Sequence, residues 1–175
     1  GMTGFRFSIK SSFPNITRRE AWFHMTSMKG VNEELMPFIF MTSPSAANET
    51  SLSEAPLNEF LFMSVILLFG LIPIDLHWLR FESLSNFSGF EEISSTLLHR
   101  FWRHHRYIIE ESRSKLSSQD PDKELIITDD VEFSPRIPFF GYLILPIVKF
   151  VFRHRHSQLK KIFSKRYSTK NNDFR

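Results

Sequence analysis

The sequence has no cysteine and only six glycines among its 175 residues. Without cysteine, disulfide scaffolds, thiol catalysis and cysteine-ligated metal sites are excluded. The scarcity of glycine predicts regular strands, and the 20 phenylalanines predict an aromatic-rich core or a core that encloses an apolar cavity. The chain is long enough to bury one substantial core, so we expect a single domain.

Long apolar runs and targeting signals are also lacking. The two longest apolar runs, residues 60–74 and 137–148, both contain proline and fall short of the roughly 20 residues that a membrane-spanning helix needs. Residues 2–13 alternate polar and apolar side chains, unlike the apolar block of a secretory signal peptide. We therefore predict a cytoplasmic protein, with peripheral contact at a membrane surface left open.

Motifs of nucleophilic and nucleotide-dependent enzymes are missing. The sequence contains no Gly-x-Ser-x-Gly motif, phosphate-binding loop or dinucleotide fingerprint. The histidines form no chelating pair, because His104 and His105 are adjacent in a predicted strand and His154 and His156 are two apart in a predicted helix. We predict no metal, no cofactor and no assignable catalytic residue.

Positive charge is concentrated at the C-terminal end. From Lys149 onward the chain carries nine lysines and arginines and one acidic residue, Asp173, so the net charge of +3 comes from this end alone. A basic end could contact anionic lipid or nucleic acid. Because no recognisable nucleic-acid-binding motif accompanies it, we do not predict nucleic-acid binding. The simplest interpretation is a solvated helix face.

The first third of the chain predicts a strand followed by two short helices. Alternating apolar side chains at residues 5–12 indicate a half-buried strand. Thr17 and Glu20 have the spacing of a capping box, which predicts the start of a helix, and Gly30 is expected to end it. After it we predict, in chain order, a short helix, a strand and a polar loop, at residues 31–36, 38–42 and 43–58.

The rest of the chain predicts an antiparallel meander that ends in one long helix. Residues 57–69 are apolar on nearly all sides and are compatible with a helix or a buried strand, and we favour a strand at 65–69. Further extended segments are predicted at residues 75–83, 89–95, 97–111 and 124–133. Their connections are short, and the last of these, the polar stretch 112–124, predicts an exposed hairpin turn. A helix from about residue 139 to residue 167 would be ~43 Å long. This order is an α+β layout in which a curved antiparallel sheet wraps around the C-terminal helix.

Several local patterns recur in one known group of proteins. They are carried by Trp22; by Val31, Asn32, Glu34, Leu35 and Pro37; by Trp102, His104 and Arg106; by TDDVEF at residues 128–133; and by Phe152, Arg155, Leu159 and Phe163. With the order of elements, they make the chain resemble the START-like, or SRPBCC, superfamily of helix-grip proteins. That superfamily includes birch-pollen-allergen relatives, polyketide cyclases and coenzyme Q-binding proteins. The resemblance implies a helix-grip fold with a ligand cavity between the sheet and the C-terminal helix.

One carboxylate falls on an otherwise apolar strand face. Asp129 shares its face with Ile127, Val131 and Phe133, and a buried carboxylate is unfavourable unless it is paired. We predict that it pairs with Arg106 or His104 on the neighbouring strand. Such a cluster could orient a ligand in an apolar pocket, serve as acid and base, or be a structural ion pair only.

In the strand that supplies these partners, alternation places Arg100, Trp102, His104 and Arg106 on one face. His99, Phe101, Arg103, His105 and Tyr107 then lie on the other face. The resemblance favours the face that carries Trp102 as the one toward the cavity.

The predicted C-terminal helix carries an apolar stripe with a polar interruption. Its members are Val148, Phe152, Leu159, Phe163 and Tyr167. His156 fills the gap in the stripe, and Arg155 lies beside it. Both side chains could face a cavity or reach solvent at the edge of the stripe, and spacing alone does not decide between these orientations.

We predict a protein that binds a small hydrophobic ligand, such as a lipid, quinone or polyketide-like compound. The predicted ligand-binding residues are Trp102, His104, Arg106, Asp129, Phe133, Phe152, Arg155 and His156. Two alternatives stay open: a cyclase or dehydratase that uses the same cavity, and a protein that binds a membrane surface or partner through the apolar run at Phe60 and the basic end. We expect one domain at residues 1–167 and a flexible basic tail at 168–175, with the oligomeric state undetermined.

Overall fold

The computed structural model describes residues 4–49, 51–112 and 123–173. The strands are β1 (Phe5–Pro14), β2 (Ile39–Met41), β3 (Phe62–Leu68), β4 (Ile72–Leu79), β5 (Phe81–Ser85), β6 (Gly89–Thr96), β7 (His99–Ser112) and β8 (Lys123–Pro135). The α-helices are α1 (Arg18–Met25), α2 (Met28–Leu35), α3 (Ser45–Glu49) and α4 (Gly141–Asp173). Two short 3₁₀ helices lie at Leu52–Glu54 and Pro138–Phe140.

The strands form one antiparallel sheet whose order is β1-β8-β7-β6-β4-β3-β2, and β5 also pairs with β6. β4 and β5 follow each other with only Arg80 between them, and both pair with β6. The sheet curves around α4, whose buried face packs on β1, β8 and α2. The predicted α+β class is confirmed, with a curved antiparallel sheet, a long C-terminal helix and two short helices after the first strand.

The two short helices are divided differently from the prediction. Thr17 caps α1, and its hydroxyl accepts a hydrogen bond from the Glu20 backbone N–H at 3.1 Å, as the capping box predicted. The first helix ends at Met25, however, because Ser27 caps α2 by accepting from the Gly30 backbone N–H at 2.9 Å. The prediction that Gly30 ends a helix was wrong, since this residue lies in the first turn of α2.

A close approach of the two helices explains why residue 30 is glycine. A Cβ atom at this position would lie 2.0 Å from the backbone oxygen of His24, which is backbone and cannot swing away. We expect Gly30→Ala to lower the free energy of unfolding by about 1–3 kcal/mol, as overpacking does. Urea denaturation would measure this. Gly4→Ala is the control, because its Cβ would meet nothing closer than 3.8 Å, and equal losses in both variants would contradict the steric argument.

An irregularity in β7 reverses the predicted alternation at its start. The register of β7 against β8 shifts between His99 and Phe101, as at a β-bulge. His99 is therefore buried and Arg100 is exposed, whereas the alternation predicted the opposite. From Trp102 onward the prediction holds, because His104 and Arg106 are buried and Arg103 and His105 are not. Most of the predicted hairpin turn after β7, residues 113–122, lies outside the described residues.

The long helix carries the predicted stripe on its buried face. Phe152, Leu159 and Phe163 are buried, and so are Arg155 and His156, which settles their open orientation inward. The side chain of Tyr167 lies outside the described residues. α4 continues to Asp173, and the prediction of a flexible tail at 168–175 stays a prediction, as does the domain boundary at 167.

The segment predicted as a loop at 43–58 contains α3 and the first 3₁₀ helix. Of the helices in the described ranges, none combines the length and hydrophobicity required to cross a bilayer.

Candidate functional site

A cavity of about 330 Å³ lies between the concave face of the sheet and α4. Apolar side chains from α1, α2, β2 to β6 and α4 form most of its wall, and buried Met28, Leu79 and Phe90 line its inner part. The polar side chains on the wall are Asp75, His77, Glu92, Thr96, His99, His104 and Arg155. An apolar cavity of this size with a few polar groups is the usual form of a small-molecule site.

A buried charge network borders the cavity and joins the sheet to the helices. At its centre, the Arg106 guanidinium on β7 binds two carboxylates, Glu34 on α2 and Asp129 on β8. Nε and Nη2 donate to the two oxygens of Asp129 at 2.7 and 3.0 Å. Nη2 and Nη1 donate to the two oxygens of Glu34 at 2.8 and 3.0 Å. The predicted pairing of Asp129 is therefore found, and it involves both predicted partners.

The remaining members of the network are histidines and a second arginine. Nε2 of His104 bonds to Oδ1 of Asp129, and Nε2 of His156 bonds to Oδ2, both at 2.6 Å. On the other carboxylate, Nε of Arg155 donates to Glu34 at 3.0 Å. His24 completes that end, with its Nε2 2.9 Å from Glu34. The two guanidinium groups of the network, of Arg106 and Arg155, match its two carboxylates in charge.

The pKa values of the network fit this charge assignment. Burial alone would raise the pKa of Glu34, but Arg106 and Arg155 hold it well below its usual range. Burial acts likewise on Asp129, whose pKa is held well below its usual range by Arg106 and by the His104 contact. Burial lowers the pKa of His104, and this outweighs the opposing effect of Asp129. We conclude that both carboxylates are ionised and that His104 is a neutral donor.

A second polar group lies on the sheet side of the cavity. His77 on β4 bonds through Nε2 to Glu92 on β6, which also accepts from the Ser94 hydroxyl at 2.9 Å. Burial raises the pKa of Glu92, but the His77 contact outweighs it and leaves the pKa below the usual value. His77 also packs edge-on against Trp102, with ring centroids 6.2 Å apart. This pair gives the apolar wall a hydrogen-bonded acid–imidazole unit.

His99 adds an unsatisfied donor or acceptor beside that unit. Its Nδ1 lies 3.2 Å from the Thr96 hydroxyl, while its Nε2 is buried without a hydrogen-bond partner. The ring packs against Trp102 and Phe133 at centroid distances of 5.6 and 5.0 Å. Burial lowers the pKa of His99, and nearby His77 and Arg136 act in the same direction against Asp75.

The structure brings the eight predicted site residues together but places them at two depths. Trp102, His104, Phe152 and Arg155 lie on the cavity wall. The other four, Arg106, Asp129, Phe133 and His156, lie behind it, in the charge network and in the apolar cluster under Trp102. Ligand contact by any of the eight stays a prediction.

Sequence reasoning missed the wall residues on β4 and β6. The inner faces of these strands carry His77, Glu92 and Thr96. Because β6 also has the polar residues Glu91 and Ser95 on its outer face, the alternation of polar and apolar residues does not show which face points inward. Strict alternation places His99 on the face opposite Trp102, because nothing in the sequence signals the bulge between His99 and Phe101. Available signals were the histidine in the apolar stretch of β4 and the excess of polar residues in β6.

One family matches most of the chain. Its description reads "Domain of unknown function (DUF8410)", and it matches residues 14–163. The chain belongs to this family. The matched segment of this DUF8410 member runs from the last residue of β1 to Phe163 and therefore includes every member of the charge network. No curated protein matches the chain.

Solved structures similar to this DUF8410 protein share its fold. A START superfamily protein from Mycobacterium smegmatis is 9% identical with a TM-score of 0.52, covering 91% of this chain and 97% of its own. Ara h 8.0201 is 9% identical with a TM-score of 0.56, covering 93% and 99%. Norcoclaurine synthase from Thalictrum flavum, solved with dopamine and hydroxybenzaldehyde, is 8% identical with a TM-score of 0.57, covering 93% and 87%. The DUF8410 chain therefore has the START/SRPBCC helix-grip fold, as the sequence resemblance indicated.

Proposed function

We propose that this protein binds a small hydrophobic molecule in the cavity between the sheet and α4. The observation that carries the proposal is the cavity itself, about 330 Å³ in volume and walled mainly by apolar and aromatic side chains. Burying apolar surface there supplies affinity, and the few polar wall groups select the orientation of the ligand. Among the structural neighbours, norcoclaurine synthase is solved with dopamine and hydroxybenzaldehyde, two small aromatic molecules, which supports the same class of function here.

The wall suggests how the ligand would be oriented. A planar or aromatic part would lie against Trp102 and Phe152, whose ring centroids are 6.3 Å apart. A polar group would meet Arg155 and His104 at one side or His99 at the other. Quinone and polyketide-like compounds combine such parts, and a lipid would present an apolar chain and a polar group. The predicted cytoplasmic location stays a prediction.

A second candidate function is a reaction of the cyclase or dehydratase type. The specific observation in its favour is the His77–Glu92 pair on the cavity wall, where an imidazole held by a carboxylate can act as a general base. Both candidates use one cavity, so they differ only in the fate of the bound molecule. Liquid chromatography with mass spectrometry of the ligand after incubation separates them. An unchanged mass and retention time support binding, an unchanged mass at a new retention time supports cyclisation, and loss of one water supports dehydration.

Filling the cavity should weaken ligand binding. Ile66 on β3 lines the cavity, and Ile66→Trp would place an indole in the ligand's space. We expect about tenfold weaker binding of the neutral fluorescent probe 1-aminoanthracene, and loss of any co-purified ligand in native mass spectrometry. Ile109→Trp is the matched control, because Ile109 is 43% exposed on β7 and does not line the cavity.

Circular dichroism would establish that both variants are folded. Equal probe affinity in Ile66→Trp and Ile109→Trp would contradict the proposed cavity site. No binding to the unmodified protein by either method would contradict ligand binding as such.

A further inference from the structure

The rim of the cavity mouth is exposed and apolar. Among the residues that line the cavity, Ile74, Leu98 and Ile147 are 41%, 45% and 62% exposed, so the opening lies between β4, the turn before β7, and α4. Each of these residues belongs to a chain segment that exposes further large apolar side chains. We call the exposed apolar side chains of segments 69–74, 97–98 and 137–150 the mouth face.

The hairpin between β3 and β4 is the most exposed part of the mouth face. Leu71 is 81% exposed and Phe69 is 56% exposed at its tip. Phe69 has a positive φ of 54°, a conformation that favours glycine or asparagine and is unfavourable for an aromatic residue. The tip therefore holds an aromatic side chain in a backbone conformation that costs folding free energy, and more than half of that side chain is exposed.

The start of α4 exposes a second set of apolar side chains. Tyr142, Leu143 and Ile147 are 75%, 62% and 62% exposed, and Phe139 just before the helix is 65% exposed. An amphipathic helix of a soluble protein normally turns such residues inward. Isolated exposed apolar residues are ordinary, but a concentration of them indicates an interaction surface.

Contacts between the segments make the mouth face continuous. The ring of Phe38 packs against Phe69 at a centroid distance of 6.4 Å and against Phe150 of α4 at 5.2 Å. On the other side, the Leu98 backbone N–H donates to Asp75 beside the hairpin, and the Leu98 carbonyl accepts from the Arg136 N–H at 2.9 Å.

The charge around the mouth face is positive. No aspartate or glutamate occurs between Glu132 and Asp173 in the sequence. Arg136 lies before the exposed start of α4, and Lys149 and Arg153 follow within the helix. Asp75, a carboxylate beside the hairpin, accepts hydrogen bonds from two backbone N–H groups, of Leu76 and Leu98. Apolar side chains with a basic border match the interface of a bilayer that contains anionic lipid.

We propose that the mouth face docks on an anionic lipid bilayer with the cavity opening turned toward the membrane. Leu71 and Leu143 enter the interfacial region, while Arg136, Lys149 and Arg153 meet lipid phosphates. In this orientation a hydrophobic ligand passes between bilayer and cavity without crossing water. Docking goes beyond ligand binding, because it requires only the outer surface and is measurable with an empty cavity.

Vesicle co-sedimentation tests the docking. The protein should bind vesicles of phosphatidylcholine and phosphatidylserine, and bind more weakly to phosphatidylcholine alone or in high salt. The double variant Leu71→Glu/Leu143→Glu should lower the partition coefficient by about a hundredfold, since it removes two apolar anchors and adds negative charge. The matched control is Leu57→Glu/Phe60→Glu, whose positions are 45% and 60% exposed. Phe60 precedes β3 at the end opposite the hairpin tip, about 23 Å away at 3.3 Å per residue.

Orientation has its own measurement. Brominated lipids should quench a larger share of the tryptophan fluorescence in Leu71→Trp than in the unmodified protein, which has three tryptophans. In Phe60→Trp the quenched share should not exceed that of the unmodified protein. Failure of the unmodified protein to bind the mixed vesicles, or equal binding by the two double variants, would overturn the proposal. A dimer joined through the mouth face would also overturn the proposal. It would show in analytical sedimentation as a dimer that dissociates in Leu71→Glu/Leu143→Glu but not in Leu57→Glu/Phe60→Glu, with no binding to vesicles. If the unmodified protein binds vesicles but does not bind 1-aminoanthracene, the ligand proposal is refuted and the docking proposal is not.

Discussion

Replacing Arg106 by methionine is expected to lower the free energy of unfolding by about 3–5 kcal/mol, the usual effect of removing one partner from a buried ion pair. The guanidinium is completely buried and donates four hydrogen bonds to Glu34 and Asp129. Without it, two buried carboxylates lose their main compensating charge. Urea denaturation followed by circular dichroism would measure the change.

Arg103 provides the matched control on the same strand. It lies on the outer face of β7, and its Nη2 donates to Glu91 at 3.2 Å, with 22% of each side chain exposed. Arg103→Met should therefore cost less than about 1 kcal/mol, as surface ion pairs do. If the two variants unfolded at the same urea concentration, the buried ion pairs of Arg106 would contribute no more to stability than the surface pair of Arg103, which would contradict the prediction.

Lysine should restore only part of the stability that is lost in Arg106→Met. Both carboxylates are bound in a forked geometry by a planar group, whereas an ammonium offers one point charge at the end of a flexible stem. The free energy of unfolding of Arg106→Lys is thus expected to lie between that of the native protein and that of Arg106→Met. The network holds α2, α4, β7 and β8 in one arrangement, so it also fixes the cavity wall at His104 and Arg155.

Local patterns predicted much of this arrangement from sequence. Period-two alternation located β1. Alternation within the segment predicted for β8 placed Asp129 on an apolar face, and the cost of an unpaired carboxylate there predicted its pairing. Spacing also identified the apolar stripe of α4 to which Phe152 and Leu159 belong. These features depend on residues close in sequence or on the cost of one buried charge, and both are visible in a single chain.

Features that depend on distant segments could not be found in this way. Glu34 is 72 positions from Arg106, and nothing in α2 alone indicates that its carboxylate is a partner of that arginine. The bulge that turns His99 inward has no glycine to signal it. Polar residues on both faces of β6 hid the inward direction of Glu92. In each case the deciding interaction is tertiary, and the local pattern is compatible with either outcome.

Acid should destabilise the protein in two stages. Burial lowers the pKa of His104 below its ordinary value of 6.5, and burial lowers that of His99 in the same direction. The unfolded chain therefore takes up these protons at a higher pH than the folded protein does. The stability that depends on the neutral rings is fully present above about pH 6.5 and is lost as the pH falls through the folded-state pKa values. The first decline in the free energy of unfolding should therefore begin near pH 6.5.

The carboxylates add a second and steeper decline at lower pH. The pKa values of Glu34 and Asp129 lie well below their ordinary values of 4.5 and 3.8, because burial, which would raise them, is outweighed by Arg106. Glu92 shifts in the same direction, since His77 outweighs its burial. For groups with lowered folded-state pKa values, stability is present above the unfolded-state pKa and is lost as the pH falls. All five shifts thus act with the same sign.

Urea midpoints measured from pH 8 to pH 3 would show both stages. His104→Gln keeps a donor for Asp129 but cannot titrate, so it should make the decline that begins near the ordinary histidine pKa of 6.5 smaller and leave the share that belongs to His99. It should leave the carboxylate stage in place, because Arg106 still binds both carboxylates. A midpoint that rises between pH 7 and pH 5 would show that the buried imidazoles gain protons on folding. That result would reverse the charge assignment in which Arg106 and Arg155 alone balance Glu34 and Asp129.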